Sequence, residues 1–152
     1  MAKRSAGLLM YRRRNSALEV FLVHPGGPFW AKKDLGAWSI PKGEYLDGEE
    51  PLEVAQREFR EETGFTPPGA FLELGESKQT GGKIVNAWAF EGDFDPAKLR
   101  SNTFMMEWPP RSGRHIEVPE VDRGAWYSIE EARRRLLTGQ RTFLDRLPHK
   151  IL

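Results

Sequence analysis

The stretch Pro51 to Thr63, PLEVAQREFREET, constrains the chain most: it lacks glycine, is built of good helix formers, and is bounded by Pro51 for a first turn and Gly64 for a C-cap. At about 100° per residue, Leu52, Ala55 and Phe59 form an apolar stripe that must be buried. Glu58, Glu61 and Glu62, related by i, i+3 and i+4, form an acidic stripe beside it. Like charges at these spacings oppose the helix, and the C-terminal dipole adds to the cost. Either Arg57 and Arg60 in the same helix or a hard divalent cation compensates them.

Around this helix the pattern is mostly β. Ser5 to Tyr11 and Glu19 to His24 read as a hairpin of buried strands, with Arg12, Arg13 and Arg14 as its solvated turn. The Gly- and Pro-rich segment after it leaves room for one short strand at Trp38 to Ile40. Ala70 to Gln79 and Lys83 to Phe90 predict a second hairpin, with Ile84, Ala87 and Trp88 in the core. Glu91 to Arg123 reads as a long irregular stretch with at most a strand at Phe104 to Trp108, and Gly124 to Tyr127 as a further strand. A last helix starts at Ser128, capped by its hydroxyl with Glu131 answering, and runs through Leu137, with Arg133, Arg134 and Arg135 on its outer face. Interleaved strands and helices in 152 residues predict a single α/β domain over 1–152.

Composition removes several functions. A net charge of +1 supplies no global field for nucleic acid or an anionic membrane. The absence of cysteine excludes disulfides, thiolate zinc sites and thiol nucleophiles, and fits the cytoplasm. No stretch has the length of a signal core or a membrane span. His24, His115 and His149 are scattered without zinc spacing, and no GxSxG, Walker or GxGxxG motif is present.

Gly43 to Phe65, GEYLDGEEPLEVAQREFREETGF, resembles the signature GX5EX7REUXEEXGU of the Nudix hydrolases at every specified position: Gly43, Glu49, Arg57, Glu58, Phe59, Glu61, Glu62, Gly64 and Phe65. Seven of these positions demand one residue type, so a chance match has a probability on the order of 10⁻⁶. WSIPKG before the box and RGAWYSIEEA near the C-terminus are also similar to the family's flanking segments.

The resemblance implies a Nudix-type α/β/α sandwich with a mixed central sheet, and metal-dependent hydrolysis of a phosphoanhydride by water attack on phosphorus. It implies Mg2+, with Mn2+ as a substitute, held by Glu58, Glu61 and Glu62, with Glu49 and the Gly43 carbonyl assisting. Arg57 orients these carboxylates, and Glu58 or the loop carboxylate Glu120, with Glu117 as its rival, takes the proton from water. Lys42, Lys83, Arg111 and Arg114 are candidate phosphate clamps, and Trp30, Phe104 and Trp108 candidate stacking surfaces for a base. The expected partner is a small nucleotide; a homodimer stays open. PKG at 41–43 is similar to diadenosine polyphosphate hydrolases. Nucleoside triphosphate, ADP-ribose or sugar-nucleotide hydrolysis, RNA 5′-end hydrolysis, and a non-catalytic nucleotide-binding module are the alternatives.

Overall fold

The computed structural model describes residues 3–151, so Met1, Ala2 and Leu152, the ends of the expected 1–152 unit, lie outside the described residues. The strands are β1 (Arg4–Arg14), β2 (Ala17–Pro25), β3 (Lys42–Glu44), β4 (Leu72–Lys78), β5 (Ile84–Glu91), β6 (Thr103–Glu107), β7 (His115–Pro119) and β8 (Val121–Ser128). The helices are α1 (Pro51–Thr63), α2 (Ile129–Arg135) and α3 (Arg141–Lys150). None is long and apolar enough to cross a membrane.

Six strands form a mixed sheet in the order β4-β5-β1-β2-β8, with β3 paired to the start of β1. β1 is central, parallel to β5 and antiparallel to β2, and Ser5 to Tyr11 are all buried. A strand covered on both faces carries a continuous apolar run. Its alternation still sorts side chains by face: Leu8 and Met10 meet Val54, Ala55 and Phe59 of α1, whereas Leu9 and Tyr11 meet Ala132, Phe143 and Leu147 of α2 and α3. The result is an α/β/α sandwich.

Several expectations are corrected. Arg12 to Arg14 belong to β1, and the turn is Asn15 and Ser16, both at positive φ (52° and 66°), the backbone that a two-residue hairpin needs. Arg12 is held by Glu19 and Asp93 at 2.8 and 2.7 Å and lies over Trp126 at 4.1 Å, so it is not a solvated turn residue. Trp38 to Ile40 makes only isolated bridges, Val23 to Ser39 and Trp38 to Leu136. In the second hairpin Ala87 and Trp88 join the core, but Ile84, at the strand end, does not. The 91–123 region holds a second sheet, the β6–β7 hairpin, and a 3-10 turn at Pro96–Lys98. The strand expected at Phe104 to Trp108 is β6, one residue earlier, whereas its partner β7 was not expected. Helix α2 stops at Arg135, and α3 follows, burying Phe143, Leu144 and Leu147; Pro148 near its end obscures a short helical stripe. Ser128 accepts from the Glu131 N–H as expected, but the Glu131 carboxylate turns to Arg134 and Arg135. Arg133 and Arg135 are likewise engaged, with Asp145 and Asp34.

Candidate active site

The C-terminal half of α1 is locked by its own residues. Gly64 takes φ of 80° and returns its N–H to the Arg60 carbonyl at 2.8 Å. The Thr63 hydroxyl donates to Phe59 O at 2.7 Å and accepts from the Phe65 N–H at 3.0 Å. With Phe59 buried against the sheet, Glu58 and Glu62 are directed to one edge of the helix, toward β3. There the Glu58 carboxyl lies so close to Gly43 that a β-carbon at position 43 would overlap it.

A third carboxylate arrives from far along the chain. Asn102 donates its N–H to Glu61 O at 2.8 Å and accepts from the Glu120 N–H at 3.0 Å, stitching the start of β8 to the end of α1. The Gly26 N–H also donates to Glu120 O, at 2.9 Å. One oxygen each of Glu58, Glu62 and Glu120 consequently lie within 4.8 Å of one another.

Three carboxylates this close and this buried resist ionisation. Burial, then Glu61 and Glu120, push the Glu58 carboxyl up to about 7. Burial, then Glu58 and Glu120, raise Glu62, which is 6% exposed, well above the ordinary range, against the pull of Lys42. Glu120 is raised by burial and Glu61, and restrained by a hydrogen bond from Asn102. The lowering of Lys42 by burial, opposed chiefly by Glu62, completes the imbalance. Three crowded hard oxygen donors, which a cation would return to the ionised form, are the donor set a divalent cation such as magnesium takes, so these residues fit a metal.

Beside the carboxylates opens a cleft of about 230 Å³, with Lys42, Glu62 and Glu120 at its polar end and Trp30, Val23, Pro25, Ala37 and Leu137 among its apolar walls. Of the residues picked from sequence, Glu58, Glu62 and Glu120 come together, and Lys42 and Trp30 line this cleft. Glu61 sits at the rim, 41% exposed, with Arg57. Arg57 approaches Glu49, Glu58 and Glu61 at 3.7, 3.8 and 3.9 Å, spanning the acidic face. Glu49 lies outside the three-carboxylate group and accepts from the Leu46 N–H at 2.8 Å. Gly43 pairs with Ala6 in the sheet, beneath Glu58. Lys83 is exposed, close enough to Lys42 to oppose its charge. Trp108, Arg111 and Arg114 occupy the tip of the β6–β7 hairpin, roughly 17 Å along the ribbon from the Glu120 end at about 3.4 Å per residue. Glu117 and Phe104 are exposed on that hairpin, and none of these five lines the cleft.

Two contributors were missed by sequence reasoning. Asn102 was hidden in an unpatterned loop. Gln140, fully buried, accepts from Ile40 N at 2.9 Å and donates to Ser39 Oγ and Gln79 Oε1 at 2.9 and 3.0 Å, bracing the cleft wall. A lone glutamine before a short helix carries no sequence signal for that role.

Comparisons with known proteins agree with this architecture. A bis(5′-nucleosyl)-tetraphosphatase [asymmetrical] of Mus musculus is 40% identical over 70 residues, covering 42% of this chain and 44% of the mouse protein; the match thus spans less than half of that relative. An Ap4A hydrolase of C. elegans, in a binary complex, is similar in structure with a TM-score of 0.66 at 19% identity, over 97% of this chain and 96% of that one. The Nudix domain of Shewanella oneidensis NrtR, complexed with ADP ribose, follows the same fold with a TM-score of 0.64 at 14% identity, over 98% and 88%. At these identities the structural likenesses establish the fold, and a match to the Nudix domain over residues 1–147 establishes the kinship. A complete signature, its glutamates converging on one edge of the sandwich, and a match along nearly the whole chain lead to one conclusion: this protein belongs to the Nudix family.

Proposed function

We propose that the protein is a single-domain, cytoplasmic pyrophosphohydrolase that uses Mg2+, or Mn2+ in its place, to split a phosphoanhydride in a nucleoside diphosphate linked to another moiety, with dinucleoside polyphosphates as the substrate class. The observation that carries this reading is the meeting of Glu58, Glu62 and Glu120 beside a cleft that Glu62 and Glu120 line together with Trp30 and Lys42. The name of the mouse relative, a bis(5′-nucleosyl)-tetraphosphatase, and the Pro41, Lys42, Gly43 approach to the box support the choice of substrate.

Glu58 and Glu62 would hold the cation, with Glu120 within reach as a third oxygen donor, and Glu61 would add negative charge beside them. When bound, the cation neutralises the phosphate oxygens and aligns the displacement. The Lys42 ammonium, beside Glu62, contacts a phosphate oxygen and meets the charge that develops there. Glu120 takes one proton of the attacking water on a carboxylate oxygen as the new P–O bond forms; the bridging oxygen leaves with its electron pair. Burial and the neighbouring Glu61, which raise its proton affinity, favour Glu120 as the proton acceptor. Arg57 keeps Glu49, Glu58 and Glu61 oriented.

The test is turnover with magnesium across diadenosine tetraphosphate, nucleoside triphosphates, ADP-ribose, sugar nucleotides and capped RNA, with products identified. Diadenosine tetraphosphate is expected to be the best substrate, and absence of hydrolysis of every compound refutes the reading. Glu62→Gln is expected to lose turnover and magnesium binding together, whereas Glu120→Gln loses turnover with a smaller loss of magnesium affinity.

A further inference from the structure

The loop between β2 and β3 carries the cleft's one aromatic wall, and a buried histidine holds it. His24, at the end of β2, is fully buried. Its Nδ1 meets the Asp122 carboxylate at 2.9 Å, its Nε2 meets the Lys33 carbonyl oxygen at 2.6 Å, and its ring packs against Trp38 at 5.2 Å. Lys33 passes this anchorage on: its N–H donates to Trp30 O at 2.9 Å, and its ammonium lies over Phe29 at 4.0 Å and Trp30 at 5.3 Å. Trp30 in turn lines the same cleft as Glu62 and Glu120. At about 230 Å³ the cleft is smaller than the roughly 300–1,000 Å³ pockets that enclose a drug-sized ligand, so it takes one base rather than a whole dinucleotide.

We infer that Trp30 is the substrate-binding residue that stacks the base of a nucleoside phosphate, and that His24 is the positioning residue that fixes Trp30 through Lys33. The inference rests on the reading of the cleft as a nucleoside phosphate site and adds which side chain holds the base and what fixes that side chain. Base stacking on an aromatic side chain is sequence-tolerant and sensitive to truncation.

Calorimetric binding of AMP and of ribose 5-phosphate, both with magnesium, tests it without turnover. Trp30→Ala is expected to weaken AMP roughly tenfold, in the range of one lost base stack, and to leave ribose 5-phosphate unchanged; Trp30→Phe restores most of the AMP affinity. His24→Leu is expected to show the same selective loss, and the double variant to bind AMP no more weakly than Trp30→Ala alone, because both substitutions remove one interaction. If His24→Leu does not fold, His24→Asn, too short to span Asp122 and Lys33, is read the same way. Unchanged AMP affinity in Trp30→Ala, or equal weakening of both ligands, overturns the stacking role. Wild-type AMP affinity in a folded His24 variant, or losses that add in the double variant, overturns the positioning role. A protein that hydrolyses nothing but loses AMP selectively in Trp30→Ala sinks the hydrolase reading and leaves this one standing.

Discussion

Gly43 and Glu58 are packed so tightly that residue 43 has no room for a side chain: a β-carbon there would overlap the Glu58 carboxyl group. The Gly43 backbone does not adopt positive φ, so the demand for glycine comes from space and not from conformation. Gly43→Ala is therefore expected to fold and to lower kcat by about 10²-fold, the cost of moving a reacting group by about 1 Å. Circular dichroism and steady-state kinetics on the same sample check this; wild-type kcat in a folded Gly43→Ala would show that Glu58 need not sit where it does.

Metal-free protein is expected to lose stability as pH rises. The Glu58 carboxyl, ordinarily near 4.5, titrates at about 7 in the fold, so the folded chain binds that proton more tightly than the unfolded one. The resulting stabilisation is complete below about pH 4.5 and gone once pH has passed through about 7. Glu62 and Glu120 are shifted in the same direction and steepen the decline. Melting temperatures in EDTA, compared between wild type and Glu58→Gln, should diverge in favour of the variant across that window, and magnesium should reduce the gap. A wild type that gains on Glu58→Gln as pH rises in EDTA would contradict the crowding of these carboxylates.

Arg57 touches three carboxylates at 3.7 to 3.9 Å while its side chain is 44% exposed. Ion pairs this long and this open contribute at most about 1 kcal/mol to folding. Orienting groups around a metal or catalytic centre matter more, about 10–100-fold in affinity or activity. Arg57→Ala should thus lower kcat by about 10–100-fold while moving the chemical-denaturation midpoint little. A large loss of stability with unchanged kcat would make Arg57 a structural residue instead.

The acidic face of the central helix was legible because helix α1 is a local object. Pro51, the unbroken run of helix formers and Gly64 mark both its ends, and 3.6-residue periodicity alone places Glu58, Glu61 and Glu62 beside the buried Phe59. The hairpins of β1 with β2 and of β4 with β5 were legible for the same reason, their apolar runs being separated by short polar turns. Helix α3 and β7 were not, although β6 itself was. Helix α3 presents only a three-residue apolar stripe with a proline near its end, and β7 buries only Val118, so neither leaves a burial period in the sequence.

What the order of amino acids determined by itself is the helix and the spacing of its carboxylates, since both depend on contacts within a few residues. Tertiary structure alone decided that Glu120 joins Glu58 and Glu62 while Glu49 stays outside with Leu46, that Trp30 faces the cleft while Trp108 stands at a hairpin tip, and that Gln140 braces the wall. These outcomes rest on backbone hydrogen bonds and packing between segments far apart in the chain, such as Asn102 bridging Glu61 and Glu120, and no local periodicity encodes which distant partners will meet.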